Sequence, residues 1–328
     1  MADYKSIKGF NVETIAGDPA NPIAGQVWYN STSATLKAYG QQGTGAWASG
    51  GTMNSAHNIA YFAGTQTAGL IAGGGTGGVS SNVALTEEYD GTAWTEVGDL
   101  LTARRGGGYG GTQNSALCMG GTVSPSEKSV SVESWNGTSW TETGDLVGSD
   151  GAAVRGAATS NTSAIAFGGN IPASPYYTAN TDSFDGTSWT AVNPLNSSRG
   201  SGAPGGTATS AFYAGGAPMS PAEKVEYWDG TNWTEGADMV DGRTYDGGAG
   251  ASNAAGLVFG GSAPGLSALT EQYDGSTWTE VADLATGREG IQGGGNSLTA
   301  IAAGGYAPDS TVAEEWSVPD ATKTFTSS

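Results

Sequence analysis

A short apolar stretch ending in Gly-Gly occurs six times along the chain: "LIAGG" (70–74), "LCMGG" (117–121), "IAFGG" (165–169), "FYAGG" (212–216), "LVFGG" (257–261) and "IAAGG" (301–305). In five units an aromatic residue, a turn and a tryptophan follow: "YDGTAW" (89–94), "WNGTSW" (135–140), "FDGTSW" (184–189), "WDGTNW" (228–233) and "YDGSTW" (273–278). The sixth has only "EEW" (314–316) at that place. Trp94, Trp140, Trp189, Trp233 and Trp278 are spaced by 46, 49, 44 and 45 residues, the period of a four-stranded propeller blade. This repetition overrides the two or three domains that 328 residues would otherwise suggest.

Each unit reads as β structure. The Gly-Gly stretch is apolar on both faces, as a strand between neighbouring sheets must be. An alanine- and glycine-rich strand precedes it, suited to a crowded centre. A strand such as "VESW" or "TEEY" then leads into Asp-Gly or Asn-Gly, a strong hairpin signal, and the outer strand starts at the tryptophan. One such sheet cannot bury both faces alone, so the units must stack, and closing them into a ring removes exposed edges. With 56 glycines the chain is rich in turns, yet ten tryptophans and thirteen tyrosines exclude disorder.

The Gly-Gly strand, the third-strand aromatic (Tyr89, Trp135, Phe184, Trp228, Tyr273, Trp316) and the fourth-strand tryptophan together resemble the kelch-type β-propeller repeat over roughly residues 55–320. The resemblance implies an all-β propeller of six blades, or seven if residues 24–50 form a blade of their own. The last blade takes its outer strand either from "TKTFTSS" (322–328) or from around Trp47; the latter would join the two termini.

The beginning of the chain differs. "PANPIAGQVWYNSTSATLKAYGQQGTGAW" (19–47) is similar to a short β-hairpin module of bacteriophage tail and other virion proteins, carried here by Gly25, Val27, Trp28, Tyr29, Asn30, Leu36, Tyr39 and Trp47. The repeats, for example "GTQTAGLIAGG" (64–74), are similar to kelch-like proteins of marine and cyanobacterial phages. These likenesses imply an N-terminal virion-attachment arm and hairpin module over 1–50 and a propeller over 51–328. Residues 1–22 would order on a partner.

The formal net charge of −19 repels phosphate backbones and excludes nucleic acid as a ligand. No apolar run approaches the roughly 18 residues a membrane helix needs, so no membrane insertion is expected. Cys118 is the one thiol, which rules out an intrachain disulfide, and His57 is the one histidine, so a zinc site or Ser-His-Asp triad would rest on it alone. The hairpins also miss the register of the sialidase Asp box: Asp90 and Gly91 are adjacent, and Trp94 follows Asp90 at four positions. No enzyme, cofactor or metal is therefore expected.

Arg104, Arg105, Arg155, Arg199, Arg243 and Arg288 all lie 13 to 17 residues before a Gly-Gly, and His57 takes the equivalent place in the first unit. One reading is a ring of cations facing an acidic sugar, with Arg104, Arg199, Arg243, Arg288 and His57 as ligand-facing residues. The other is a recurring inter-blade ion pair with the acid two residues before each third-strand aromatic: Glu87, Glu133, Asp182, Glu226, Glu271 and Glu314. The hairpins barely vary, whereas the loops after Gly-Gly do: "TVSPSEKSVS" (122–131), "NIPASPYYTAN" (170–180), "APMSPAEK" (217–224) and "SAPGLSAL" (262–269). A constant scaffold with one variable rim suits a binding platform, and Tyr176 and Tyr177 are the residues to stack on a sugar.

The expected protein is thus a structural component of a phage virion, tail-associated or fibre-like, using its propeller for adhesion to a host-surface glycan. Its partners would be other virion proteins, reached through residues 1–50, and further copies of itself in the particle. A capsid decoration or scaffolding protein without receptor binding is the alternative, and a surface-glycan hydrolase is the alternative from another class.

Overall fold

The computed structural model describes residues 12–76, 81–124, 127–148, 151–171, 176–218, 222–307 and 310–325. Among them there is no helix; the fold is all-β and propeller-like, with 30 strands. The chain divides into two units, Met1–Ala46 with Ser317–Ser328, and Trp47–Trp316. The expected division at 50/51 is thus displaced. The reason is pairing: Asp320–Phe325 lies antiparallel to Thr35–Gln41 and so groups with the N-terminal segment.

In the smaller unit the strands Glu13–Ile15, Val27–Asn30, Thr35–Gln41 and Asp320–Phe325 form one sheet in that order. The hairpin expected within 19–47 forms from the middle two, with Val27 opposite Ala38 and Tyr29 opposite Leu36. Trp28 is fully buried, and its Nε1 donates to Asp18 Oδ1 (3.1 Å). Lys37 Nζ donates to Asp18 Oδ2 (2.7 Å) and Asn30 Nδ2 to Oδ1 (2.7 Å). These bonds, Lys37 first, hold the Asp18 carboxyl down to about 2. Of the attachment arm expected over 1–22, residues 1–11 lie outside the described residues.

The larger unit contains six four-stranded sheets. The first comprises Tyr61–Thr65, Ala68–Ala72, Thr86–Tyr89 and Trp94–Glu96. The second comprises Gly108–Thr112, Ser115–Ser124, Glu127–Trp135 and Trp140–Thr143, and the third Arg155–Ser160, Ser163–Phe167, Thr181–Phe184 and Trp189–Val192. The fourth runs Ala203–Thr207, Ser210–Ala214, Val225–Trp228 and Trp233–Glu235, and the fifth Gly247–Ser252, Ala255–Phe259, Thr270–Tyr273 and Trp278–Glu280. The sixth takes Gln292–Gly295, Thr299–Ala303 and Ala313–Ser317 from the end of the sequence and Ala46–Ser49 from its beginning. The segment around Trp47, not 322–328, thus supplies that fourth strand, and the strands within 24–50 are shared between two sheets. The first strand of each sheet lies beside the first strand of the next, and that of the sixth beside that of the first.

Burial is greatest in the second strands and least in the fourth. Leu257, Val258 and Phe259 in a second strand are fully buried, whereas outer strands bury the tryptophan and expose the two residues after it. Burying an aromatic side chain in this way contributes about 2–3 kcal/mol. The Asp-Gly turns close as expected. Asp90 Oδ1 accepts from the amides of Thr92 (2.8 Å) and Ala93 (2.9 Å) while Gly91 takes φ +91°. The same bonds hold Asp90, Asp185 and Asp229 below the usual carboxylate range and bring Asp274 to about 2.

The six sheets alternate in kind. The aromatic opposite the outer tryptophan is Tyr89, Phe184 or Tyr273 in sheets one, three and five, and the two rings stack at interplanar angles of 26–27°. In sheets two, four and six it is Trp135, Trp228 or Trp316, and the rings tilt to 41–54°. Indole bonding follows the same parity. Trp140, Trp233 and Trp47 donate to the hydroxyls of Thr86, Thr181 and Thr270 in the preceding sheet. The equivalent positions facing the other three are Val132, Val225 and Ala313, which have no hydroxyl. Trp278 turns to Tyr227 and Trp94 to the Gly51 carbonyl, while Trp189 Nε1 has no partner. The repeating unit of the interior is therefore a pair of sheets.

Candidate functional site

The link entering each sheet carries the cations singled out in the sequence, and the structure turns them inward. Arg104, Arg199, Arg243, Arg288 and His57 are all buried. Arg104 Nη2 reaches Glu133 (2.8 Å), Arg199 Nη2 reaches Glu226 (3.1 Å), Arg288 Nη2 reaches Glu314 (2.7 Å), and Arg243 pairs with Glu271. His57 Nε2 lies 3.3 Å from Glu87 Oε1, and its Nδ1 donates to the Gly73 carbonyl (2.6 Å). Each Nη1 goes to a carbonyl, as from Arg104 Nη1 to Ser131 (2.8 Å), while Nε of Arg199, Arg243 and Arg288 is enclosed without an acceptor. The glutamates in turn accept link amides, as Glu133 does from Leu101 (2.7 Å). Burial alone would raise the Glu87 carboxyl; bonds from His57, Asn54 and Ser55 outweigh it and hold it below its ordinary value.

The expectation that these five face a ligand is thereby corrected: each is enclosed and engaged by an acid. The recurring ion pair exists, but between a link and the third strand of the sheet it enters, so it fastens a unit to itself. Sheet three departs from the pattern. Gly151 occupies the cation's place, and Asp182 accepts the amides of Val147 (3.1 Å) and Gly148 (2.9 Å). Arg155 sits further along, on the first strand, and its Nε donates to Gly202 in the next sheet (2.6 Å).

Two residues after the cation's place the six links join. Gly106 donates its amide to Ile59, Ala153 to Gly106, Ser201 to Ala153, Tyr245 to Ser201, Gly290 to Tyr245 and Ile59 to Gly290, with N···O distances of 2.5–3.3 Å. These six bonds form a closed cycle. All six residues have φ between +53° and +67°, a conformation that costs a residue other than glycine about 1–2 kcal/mol. Only Gly106 and Gly290 adopt it freely.

Beyond the cycle, residues of the first strands line a cavity of about 110 Å³. Its lining is Phe62, Tyr109 and Pro204, and otherwise glycine and alanine. Small residues are required: a Cβ on Gly248 would lie 2.3 Å from the Pro204 carbonyl oxygen. Burial pushes the Tyr109 phenol up to about 12, and its hydroxyl has no partner. Asp246, next to the cycle, is 1% exposed and both its oxygens lack a partner. Burial raises its carboxyl to about 7 against the pull of Arg243 and Arg155.

The outer side of the cycle is where unrepeated side chains collect. Next to each cycle residue, the link pairs with the position after Gly-Gly: Asn58 with Gly75, Arg105 with Thr122, Ala152 with Asn170, Gly200 with Ala217, Thr244 with Ser262 and Glu289 with Tyr306. Links and post-Gly-Gly loops therefore lie side by side. Parts of the variable loops (125–126, 172–175 and 219–221) lie outside the described residues. Tyr176 is 58% exposed, with φ +68°. Tyr177 bridges to Asn170, and Tyr245 lies near enough to help burial raise its phenol.

Tyr245 and Tyr306, at 39% and 37%, are the exposed aromatics that sequence reasoning missed. Aligning the links on the cycle would have revealed Tyr245 and Asp246 as departures from small or apolar neighbours. No protein-family model matches the chain, and no curated protein does.

Proposed function

We propose that the larger unit is a six-bladed kelch-type propeller, with Ala46–Ser49 closing its last blade, and that it serves adhesion to a host surface as part of a phage virion. The closed cycle of six backbone bonds and the first-strand neighbours running from sheet one round to sheet six support the blade count. The observation that carries adhesion is the contrast between ends: the Asp-Gly turns repeat almost unchanged, while Tyr176, Tyr177, Tyr245 and Tyr306 are unrepeated and gather by the cycle. A face that varies on a constant scaffold suits recognition.

The cavity lining, with Tyr109 as its one ionisable side chain among the described residues, offers no carboxylate pair for glycoside hydrolysis. Placement in a tail or fibre, assembly with other virion proteins through residues 1–50 and with further copies of the chain, rests on the resemblance of residues 19–47 to virion hairpin modules. Immunogold labelling of purified particles with an antibody against the larger unit tests this reading. Gold at tail or fibre tips is expected. Gold over the head would favour capsid decoration, and unlabelled particles with free protein would overturn the virion assignment.

A further inference from the structure

Arg105 stands apart from the other arginines. It follows Arg104 directly, yet makes no side-chain hydrogen bond or ion pair among the described residues, and its Nη1 is enclosed without an acceptor. An enclosed unmatched donor also occurs at Nε of Arg199, Arg243 and Arg288; Arg105 differs in that none of its side-chain donors has a partner among the described residues. Its backbone pairs with Thr122 on the outer side of the cycle. Two links on, in the next sheet but one, the small residues Gly200, Ser201 and Ala217 form a low stretch between Tyr177 on one side and Tyr245 on the other. Cycle residues joined by single hydrogen bonds lie about 5 Å apart, as neighbouring strands do, so six enclose a ring roughly 10 Å across. Arg105 and the two tyrosines are therefore within the span of one or two sugar residues.

The charge of this face is local. The chain carries 12 Lys and Arg against 31 Asp and Glu, and Arg104, Arg199, Arg243 and Arg288 are neutralised inside. Lys128 Nζ donates to the Asn170 carbonyl (2.8 Å), which brings a second cation beside Tyr177. Glu289 precedes Gly290, the cycle neighbour of Tyr245, and its backbone pairs with Tyr306. A planar guanidinium without a carboxylate of its own matches a planar carboxylate on a ligand, and the exposed ring of Tyr245 with the half-buried ring of Tyr177 matches the C–H faces of a pyranose.

We propose that this face binds a carboxylate-bearing pyranose of a surface glycan, with Arg105 receiving the carboxylate and Tyr245 and Tyr177 flanking the sugar ring. The inference rests on the adhesion reading and sharpens it: one unpaired arginine, not a ring of them, selects an acidic sugar. Hexuronates and sialic acids share this chemistry.

Calorimetry with the full chain tests the proposal, using a hexuronate tetrasaccharide against its carboxyl-reduced counterpart, and sialyllactose against lactose. At least one acidic probe is expected to bind about tenfold or more tightly than its neutral partner; which pair responds assigns the source. Arg105→Gln should abolish that preference while leaving neutral binding and melting temperature unchanged. Tyr245→Asn, a residue tolerant of positive φ, should weaken both members of the responding pair. Equal binding within both pairs, no binding of any probe, or an unaltered preference in Arg105→Gln would overturn it. A cell-adhesion assay separates the two levels. Parent and Arg105→Gln adhering equally would leave adhesion standing and sink this site, whereas adhesion by neither would sink the adhesion reading.

Discussion

Arg104 and Arg105 are neighbours in sequence and opposites in circumstance. Arg104 is enclosed, with Glu133 and four backbone or hydroxyl acceptors around it; the Arg105 side chain borders the cycle with no acceptor among the described residues. The first belongs to a pattern present in five of six units, the second occurs once. The difference teaches that repetition marks construction in this chain, and that a functional residue can hide one position away from a structural one of the same type.

Removing Arg104 should produce the larger break. Arg104→Ala leaves the buried Glu133 carboxylate without its cation, which is expected to cost about 3–5 kcal/mol in urea unfolding. The same effect is expected of Arg243→Ala, since Glu271 is equally enclosed.

Asp246 sharpens the contrast from the other side, as a buried charge near the cycle with no bonded partner. Its carboxyl rises from 3.8 to about 7, so folding takes up a proton between those values. Stability from this group therefore declines as pH rises through that window, and its cost is complete above it. Asp246→Asn should raise stability at pH 8 by on the order of 4 kcal/mol, from about 1.4 kcal/mol per unit, and change little at pH 4. Denaturant midpoints at the two pH values measure this.

A smaller effect separates the alternating sheets. Trp140→Phe loses an indole bond to Thr86, whereas Trp189→Phe loses none. The first substitution should cost about 1 kcal/mol more than the second in thermal unfolding. At the bottom of the scale, Arg105→Gln should shift stability by no more than about 0.5 kcal/mol. An effect comparable to that of Arg104→Ala would erase the distinction drawn between the two arginines.

What was legible in the sequence was what recurs in side-chain identity. The Gly-Gly strands and the Asp-Gly turns fall where the pattern placed them, whereas the pairing of a cation with the acid two residues before an aromatic forms in five units and within a unit rather than between units. The cycle was hidden because it is a backbone feature carried by Ile59, Gly106, Ala153, Ser201, Tyr245 and Gly290, which share no side-chain character. The burial of the cations was hidden because spacing along the chain does not say which way a link folds. Similarly, no pattern could choose between Trp47 and residues 322–328 for the sixth sheet; the choice lies in pairing across nearly the whole chain.

The alternation of threonine with valine or alanine at the head of the third strand has a consequence for engineering. Modules cut from this chain are interchangeable only with respect for parity. Exchanging the second sheet for the fourth keeps valine at the head of the third strand, although Trp278 would give up its bond to the Tyr227 hydroxyl. Exchanging the second for the third gives one tryptophan a methyl where it needs a hydroxyl. A library of shuffled variants should therefore be assembled in doublets, and any natural gain or loss of length by duplication would most readily proceed two sheets at a time.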